Sequence, residues 1–360
     1  MTTPTRRRAL QEPPRVAAPD TAEFLAAYVL RSRPAVFTGL FHGQPVERLA
    51  TREAALDRLG ALPIEITTPY HHDDFAAFRP GAPAPPVHRT TLGGYFAHTD
   101  AHPDTRLLCL ERPTPDALHA TFTPPAYCHV GHVPADGWES RFFAGSAGNT
   151  SNLHFDADFR AVLLHQVFGE KRLVWVDPGR SPGLRPYMNL SRVQPARLAA
   201  AERAAFLAAV GARETVLRPG ETAFIPTACW HHVDYLTDSL SVNIRLPRNA
   251  FTRALGGRDL HKTWRLGCVA ATSPDPARVS ARDRADLRRL REARHSPGPP
   301  QARLERVERL VRELCAERCP GLDDAVREVT EADEWSVWQQ LLEDGVLYAD
   351  RTPDEGDADG

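Results

Sequence analysis

Apolar positions follow two different periods along this chain, and the switch between them divides it. From Ser140 to Arg248 short apolar runs alternate with Gly, Pro and Asp turns, the texture of short strands. Eight strands are predicted there: 141–146, 151–156, 161–168, 172–176, 214–217, 222–225, 232–236 and 239–246. Eight short strands joined by tight turns predict a mostly β core built as a double-sheet jelly roll or barrel. An insert at about 179–212 interrupts them, and its Ala-rich half, Pro195–Val210, reads as helix.

The stretch before this core mixes the two periods. Phe24, Leu25, Tyr28 and Val29 recur at helical spacing after a start at Asp20-Thr21. A strand at 35–39, a helix at 46–59, a strand at 63–68, a short helix around 92–96 and a strand at 106–110 follow. His71 and His72 fall in a polar, Pro-rich loop running to His88, where solvated side chains are expected. The stretch 113–134 reads as irregular. After Asn249 the period returns to helical, with amphipathic segments at 280–292, 301–318 and 331–342 and Ser280 placed as an N-cap. The organisation expected is a disordered or extended segment at 1–19, one domain at 20–248 with its core at 140–248, a helical cap or dimerisation region at 249–349, and an acidic tail at 350–360.

Composition narrows the function classes. The 360 residues are 42% hydrophobic and 25% charged, with a formal net charge of −2, so neither nucleic acid nor an anionic membrane is expected as a main partner. No apolar run approaches membrane-spanning length, and the basic start has no apolar stretch behind it, which reads as a cytoplasmic protein. The six cysteines form no C-x-x-C pair and read as reduced core thiols. Cys128, His129 and His132 lie close together, but a second ligand pair at zinc-finger spacing is missing.

The chemistry concentrates in His154-Phe155-Asp156. In a strand, residues two apart share a face, so this imidazole and this carboxylate aim at one point. A second imidazole is available one sheet-length later, where Phe224–Val233 reads F-I-P-T-A-C-W-H-H-V. His231 and His232 are adjacent and point to opposite sides, so only one can join the pair. Two histidines and one carboxylate hold one face of an Fe(II) ion and leave the other face open. A lone H-x-D occurs by chance in many chains, and the facing histidine after the Pro219-Gly220 turn is what raises this one. A carboxylate-bearing cosubstrate also needs a cation. Lys171 heads the strand after the H-x-D region, and Arg245 competes with it from the last strand, on the face it shares with Ser241 and Asn243.

These residues give the chain its resemblance. His154-Phe155-Asp156, then Gln166-Val167-Phe168-Gly169-Glu170-Lys171, then Pro219-Gly220-Glu221 through Ile225-Pro226 to Trp230-His231, then Ser241-Val242-Asn243 resemble the Jumonji-C (cupin-like) family of Fe(II)- and 2-oxoglutarate-dependent oxygenases, most of all its asparaginyl-hydroxylase-like members. The resemblance covers 35–246 loosely and 149–245 well. It implies His154, Asp156 and His231 as iron ligands, choosing His231 because it directly follows Trp230. It implies that Lys171 pairs with the distal carboxylate of 2-oxoglutarate, that Ser151 shares that carboxylate, and that Asn243 lies near the chelating end. Three positions depart from the family pattern. The stretch between Asp156 and Gln166 is long and lacks the usual polar residue, for which Asp158 or Arg160 is the substitute; Cys229 stands where a second tryptophan is common, and Arg245 where an aromatic is common. The last two are expected to line the substrate pocket.

The activity this implies is hydroxylation of an amino-acid side chain in a protein, a peptide or an amino-acid-derived small molecule, with a homodimer through the C-terminal helices as the assembly. Two other readings compete: a cupin isomerase or cosubstrate-independent dioxygenase, which has no use for an anion site at Lys171, and a non-enzymatic binding module, which binds no metal.

Overall fold

The strand Val162–Phe168 is buried along its whole length, and that decides the layering. A strand buried on both faces needs a cover on each. Val162 and Leu164 join one apolar cluster while Leu163 and Val167 join another, as the alternation of side chains requires.

The computed structural model describes residues 10–29, 33–68, 86–129, 138–156, 160–177, 184, 186–187, 190–191, 193–227 and 229–247, with scattered positions between 285 and 313. The helices expected after Asn249, the acidic tail, His71, His72 and His132 lie wholly or largely outside these residues. The strands are β1 Arg15–Ala17, β2 Ala35–Thr38, β3 Pro63–Thr67, β4 Val87–Thr91, β5 Leu108–Pro113, β6 Glu139–Gly145, β7 Val162–Phe168, β8 Lys171–Val176, β9 Pro186–Tyr187, β10 Leu190–Ser191, β11 Arg213–Leu217, β12 Glu221–Ile225, β13 Trp230–Tyr235 and β14 Ser239–Arg245. The α-helices are α1 Thr21–Glu23, α2 Arg52–Leu59, α3 Leu92–Ala101, α4 Asp116–His119 and α5 Ala200–Ala209.

Two sheets face one another. The larger has nine strands in the order β1-β2-β12-β7-β14-β6-β5-β3-β4. Its centre, β12-β7-β14-β6, is antiparallel throughout. The smaller sheet is β11-β8-β13, also antiparallel, and bridges at Thr150–Asp234 and His154–His231 add the 150–154 backbone to its β13 edge. Apart from β8 and β11, which pair with each other, successive strands of the core alternate between sheets in the double-sheet arrangement expected from the sequence. Val36, Val162, Leu164, Leu173, Trp175, Ile225 and Val233 fill the space between the sheets. Phe24, Phe37, Tyr95, Phe96, Leu163, Phe224, Val242 and Ile244 form a second core on the outer side of the large sheet, under the N-terminal helices.

Several elements differ from their sequence expectation. The helix expected over 46–59 is a 3-10 turn, Pro45–Leu49, followed by α2, because Thr51 is extended (φ −119°, ψ 155°) and its side chain caps Ala54 N–H. β4 falls in a stretch read partly as loop. It is an exposed edge strand paired to β3, and a strand exposed on both faces carries no period-two apolar signal. The stretch 113–134 contains α4 and a 3-10 turn at Ala126–His129. Cys128 is a buried free thiol packed in the outer core.

The segment 151–156, expected as a strand, holds only the bridge at His154. Side chains there take over ladder bonds. Val233 N–H donates to the Ser151 hydroxyl at 2.8 Å. The Asn152 carbonyl turns to accept from the Ser151 hydroxyl at 3.0 Å and to meet the His154 ring at 2.9 Å.

Candidate metal centre

His154 and His231 face each other across the edge of the small sheet. Their backbones exchange both hydrogen bonds, at 3.0 and 2.6 Å, and their ring centres are 4.3 Å apart. Asp156, two residues on, brings its Oδ1 to 3.8 Å from His154 Nε2. One ligand atom from each of the three residues lies within 4.8 Å of the others. Each histidine has its Nδ1 against a backbone carbonyl, Asn152 for His154 at 2.9 Å and Cys229 for His231 at 3.0 Å. That partner assigns the Nδ1–H tautomer and leaves each Nε2 with a lone pair for a cation.

The charge states suit the same task. Burial pushes His231 down to about 4, with the nearby His154 adding to it, so its imidazole is neutral and able to ligate. Burial works to raise the Asp156 carboxyl, but His231, Arg245 and His154 together hold it below the usual carboxylate value. Two imidazoles and one carboxylate fit a divalent first-row ion on one face, Fe(II) among them. His232 points the other way. It is fully buried on the outer face of the small sheet, with Nε2 2.8 Å from Asp234, which Arg203 of α5 also binds at 2.9 Å. It is a packing residue, away from the His154, Asp156 and His231 cluster.

The cation expected for a cosubstrate sits deeper between the sheets. Lys171 pairs across the ladder with Tyr235, and the same register puts His231 opposite Trp175. Lys171 and the metal cluster are therefore separated by four residues of β13, about 13 Å of strand. Lys171 Nζ donates to Ser241 Oγ at 2.5 Å and lies 4.2 Å from the centre of the Tyr235 ring. Among the described residues no carboxylate pairs with it. Burial alone lowers it to about 7.

A cavity of about 200 Å³ joins the two ends. Leu108, Leu110, Phe143, Leu164, Ile225, Val233 and Tyr235 wall it, and His154, Asp156, His231, Lys171, Thr150, Ser151, Asn152, Asn243, Arg245 and Glu111 are its polar lining. Asn243 Oδ1 and Asn152 Oδ1 are buried with no hydrogen-bond partner among the described residues. The Ser151 hydroxyl has its one proton committed to the Asn152 carbonyl. Arg245 is nearly buried, with Nη2 3.8 Å from Asp156 Oδ1 and an ion pair to Glu111. Glu111 is the one described non-glycine residue with positive φ, 52°, inside the bulge that β5 makes between Cys109 and Arg112. Left-handed backbone costs an L-residue roughly 1–2 kcal/mol.

The sequence-predicted residues thus separate. His154, Asp156, His231, Lys171, Ser151, Asn243 and Arg245 all line one cavity. Cys229, expected in the pocket, is instead packed between the sheets with Sγ 3.6 Å from the Val176 carbonyl, because it lies one residue short of β13 and faces β8. Arg160 reaches the Leu246 carbonyl at 3.1 Å and does not line the cavity, and Asp158 lies outside the described residues. Sequence reasoning missed Tyr235, Asn152 and Glu111. The step of two from His231 through Val233 could have found Tyr235. No local signal marks Glu111, whose position depends on a bulge.

A family model described as a cupin-like domain matches residues 21–245. The chain belongs to the cupin-like domain family. Within it, 132 residues are 30% identical to Jumonji C domain-containing protein 5 of Drosophila melanogaster, covering 35% of this chain and 32% of that protein. The match thus spans about a third of the relative's length. A cupin-like domain of Jumonji-C type with a His-Asp-His cluster is consistent with the Fe(II)/2-oxoglutarate oxygenase superfamily. No helix among the described residues is long and apolar enough to cross a membrane.

Proposed function

We propose that this cupin-like domain is an Fe(II)- and 2-oxoglutarate-dependent oxygenase that hydroxylates an amino-acid side chain, in a protein, a peptide or an amino-acid-derived small molecule. One observation carries the reading. A two-histidine, one-carboxylate cluster and a buried lysine that no described carboxylate neutralises sit at the two ends of one apolar-walled cavity. A buried ammonium without an anion is costly, so the cavity is built to receive one. A cosubstrate with a carboxylate at one end and a chelating group at the other satisfies both ends together.

His154, Asp156 and His231 would hold the iron through their Nε2 and carboxylate atoms. Lys171 would bind the distal carboxylate of 2-oxoglutarate, with Ser241 fixing the ammonium's direction. Asn243 offers, between the two ends, an amide oxygen that has no partner among the described residues. The apolar walls keep water from the reacting centre. When bound, the iron supplies the activation of dioxygen: one oxygen atom enters a substrate C–H bond, the other enters succinate, and 2-oxoglutarate loses CO₂. The protein's own share is orientation and exclusion of water.

The test is thermal unfolding under anaerobic conditions with Mn(II), then with Mn(II) and 2-oxoglutarate, followed by succinate release with Fe(II) in air. Successive rises in Tm and 2-oxoglutarate-dependent succinate support the reading. A Mn(II) shift with no further shift from 2-oxoglutarate overturns it in favour of a cosubstrate-independent metalloenzyme.

A further inference from the structure

The Glu111–Arg245 pair has no counterpart in the two ends already assigned. Arg245 projects from the inner face of β14, one polar step beyond Asn243, and its guanidinium lies against Asp156. Support for Asp156 would explain Arg245. It does not explain Glu111, which is held on strained left-handed backbone, inside a bulge, so that its carboxylate meets that guanidinium. Strain of this kind persists where the surrounding structure over-determines it, and functional sites are where it collects. Both residues line the cavity at its metal end, so a substrate approaching the metal meets them.

The charges along the cavity decide what that substrate is. Among the described lining residues the formal charges are Asp156 and Glu111 against Lys171 and Arg245, and they cancel. The two positive charges of the iron cancel the two negative charges of 2-oxoglutarate. A substrate with a net charge would leave one charge uncompensated in a poorly solvated space. The Glu111–Arg245 pair nonetheless offers an acceptor carboxylate and a donor fork side by side. Arg245 is 12% exposed and fixed, whereas the Glu111 side chain is 43% exposed and can swing outward.

We propose that Glu111 and Arg245 are the substrate-recognition pair and that the substrate is a free α-amino acid. Its carboxylate takes the Arg245 fork, its ammonium takes Glu111, and its side chain turns to the metal. A zwitterion replaces one ion pair by two and keeps the cavity neutral. A residue inside a polypeptide has neither charged group, and a chain terminus has only one. The inference rests on the oxygenase reading above and narrows its substrate class.

The experiment uses the full-length protein with Fe(II) and 2-oxoglutarate, and the proteinogenic amino acids as a panel. Each active amino acid is compared with its N-acetyl, its C-amide and its doubly blocked form. Succinate release stimulated by one or more free amino acids, and lost at least tenfold on blocking either end, is the expected result. Glu111→Gln raises KM for the active amino acid at least tenfold, while the Tm shift with Mn(II) and 2-oxoglutarate persists. Stimulation retained by the doubly blocked form or by a peptide overturns the inference. So does stimulation by none of the panel when the Tm shift with Mn(II) and 2-oxoglutarate is intact. Absence of that shift is a different failure: it overturns the oxygenase reading and removes the inference with it.

Discussion

Lys171 donates to Ser241 across the gap between the two sheets, 2.5 Å from nitrogen to oxygen, and the Tyr235 ring covers it. One lysine thus ties the small sheet to the large one at the closed end of the cavity. The bond is neutral on one side, so it leaves the ammonium's charge unanswered. Lys171→Met keeps the length and removes the charge. The variant is expected to be as stable as the parent or about 1 kcal/mol more stable in the absence of 2-oxoglutarate. Its Tm no longer rises when 2-oxoglutarate is added to the Mn(II) form. Denaturant unfolding and thermal shift, measured together, check both halves.

The same lysine makes cosubstrate binding depend on pH. Burial lowers Lys171 from 10.5 to about 7 in the protein alone, and a bound carboxylate favours the charged form and raises it again. Below about pH 7 the group is charged before and after binding, and affinity is flat. Above that it is neutral in the free protein and takes up a proton on binding. Affinity then falls by up to tenfold per pH unit, until the pH passes the value in the complex. The sign for folding without the anion is consistent: the buried charge destabilises fully below about pH 7, and the effect fades as pH rises toward the unfolded value of 10.5. Calorimetric titrations with 2-oxoglutarate in buffers of different ionisation enthalpy read the proton uptake directly.

The two adjacent histidines are separable by mutation. His231→Ala removes a ligand and abolishes the Tm rise with Mn(II), which for an intact site amounts to about 2.7 kcal/mol at a hundred times the Kd. His232→Ala empties a fully buried position and leaves Asp234 without its 2.8 Å partner. It is expected to lower stability by about 2–3 kcal/mol and to keep the Mn(II) response. Loss of metal binding in His232→Ala alone would reverse the assignment.

Much of this was legible in the sequence, and for identifiable reasons. The strands β7, β8 and β12 show as short apolar runs because both of their faces are covered, whereas β14 alternates, with Leu240, Val242 and Ile244 in the outer core and Asn243 and Arg245 toward the cavity. His154 and Asp156 show through spacing, since strand geometry converts a step of two into a shared face, whereas the choice of His231 over His232 rests on the family resemblance at Trp230-His231. What stayed hidden depends on departures from regular geometry. The 151–156 segment reads as a strand, but Ser151 and Asn152 divert its ladder into side-chain bonds. Glu111 reaches the cavity only because β5 bulges, and a bulge changes which side chains face inward without changing the pattern of residue types. Cys229 faces the space between the sheets, as a step of two from His231 requires, but it packs into the apolar core there and not against the cavity, a distinction that residue type and spacing do not carry.

Gly169 turns β7 into β8 and so fixes where Lys171 starts. Its φ is +74°, and a Cβ there would lie 2.0 Å from the Asp238 carbonyl oxygen and 2.7 Å from Ser239 Cβ. Asp238 ends the turn that leads into β14 and Ser239 is the first residue of that strand, whose Ser241 holds the lysine. Gly169→Ala therefore adds left-handed strain and forces the two turns apart. It is expected to cost at least about 2 kcal/mol, above the usual range for Gly to Ala because backbone has to move. The displacement also moves Lys171 relative to Ser241, so the 2-oxoglutarate shift weakens in the fraction that folds. Gly220→Ala is the control: it has the same kind of φ, +83°, but no atom within 4 Å of its Cβ, and it should lose only the cost of the left-handed backbone. Equal losses in the two variants would show that the close approach of the 169 and 238 turns contributes nothing to placing the lysine.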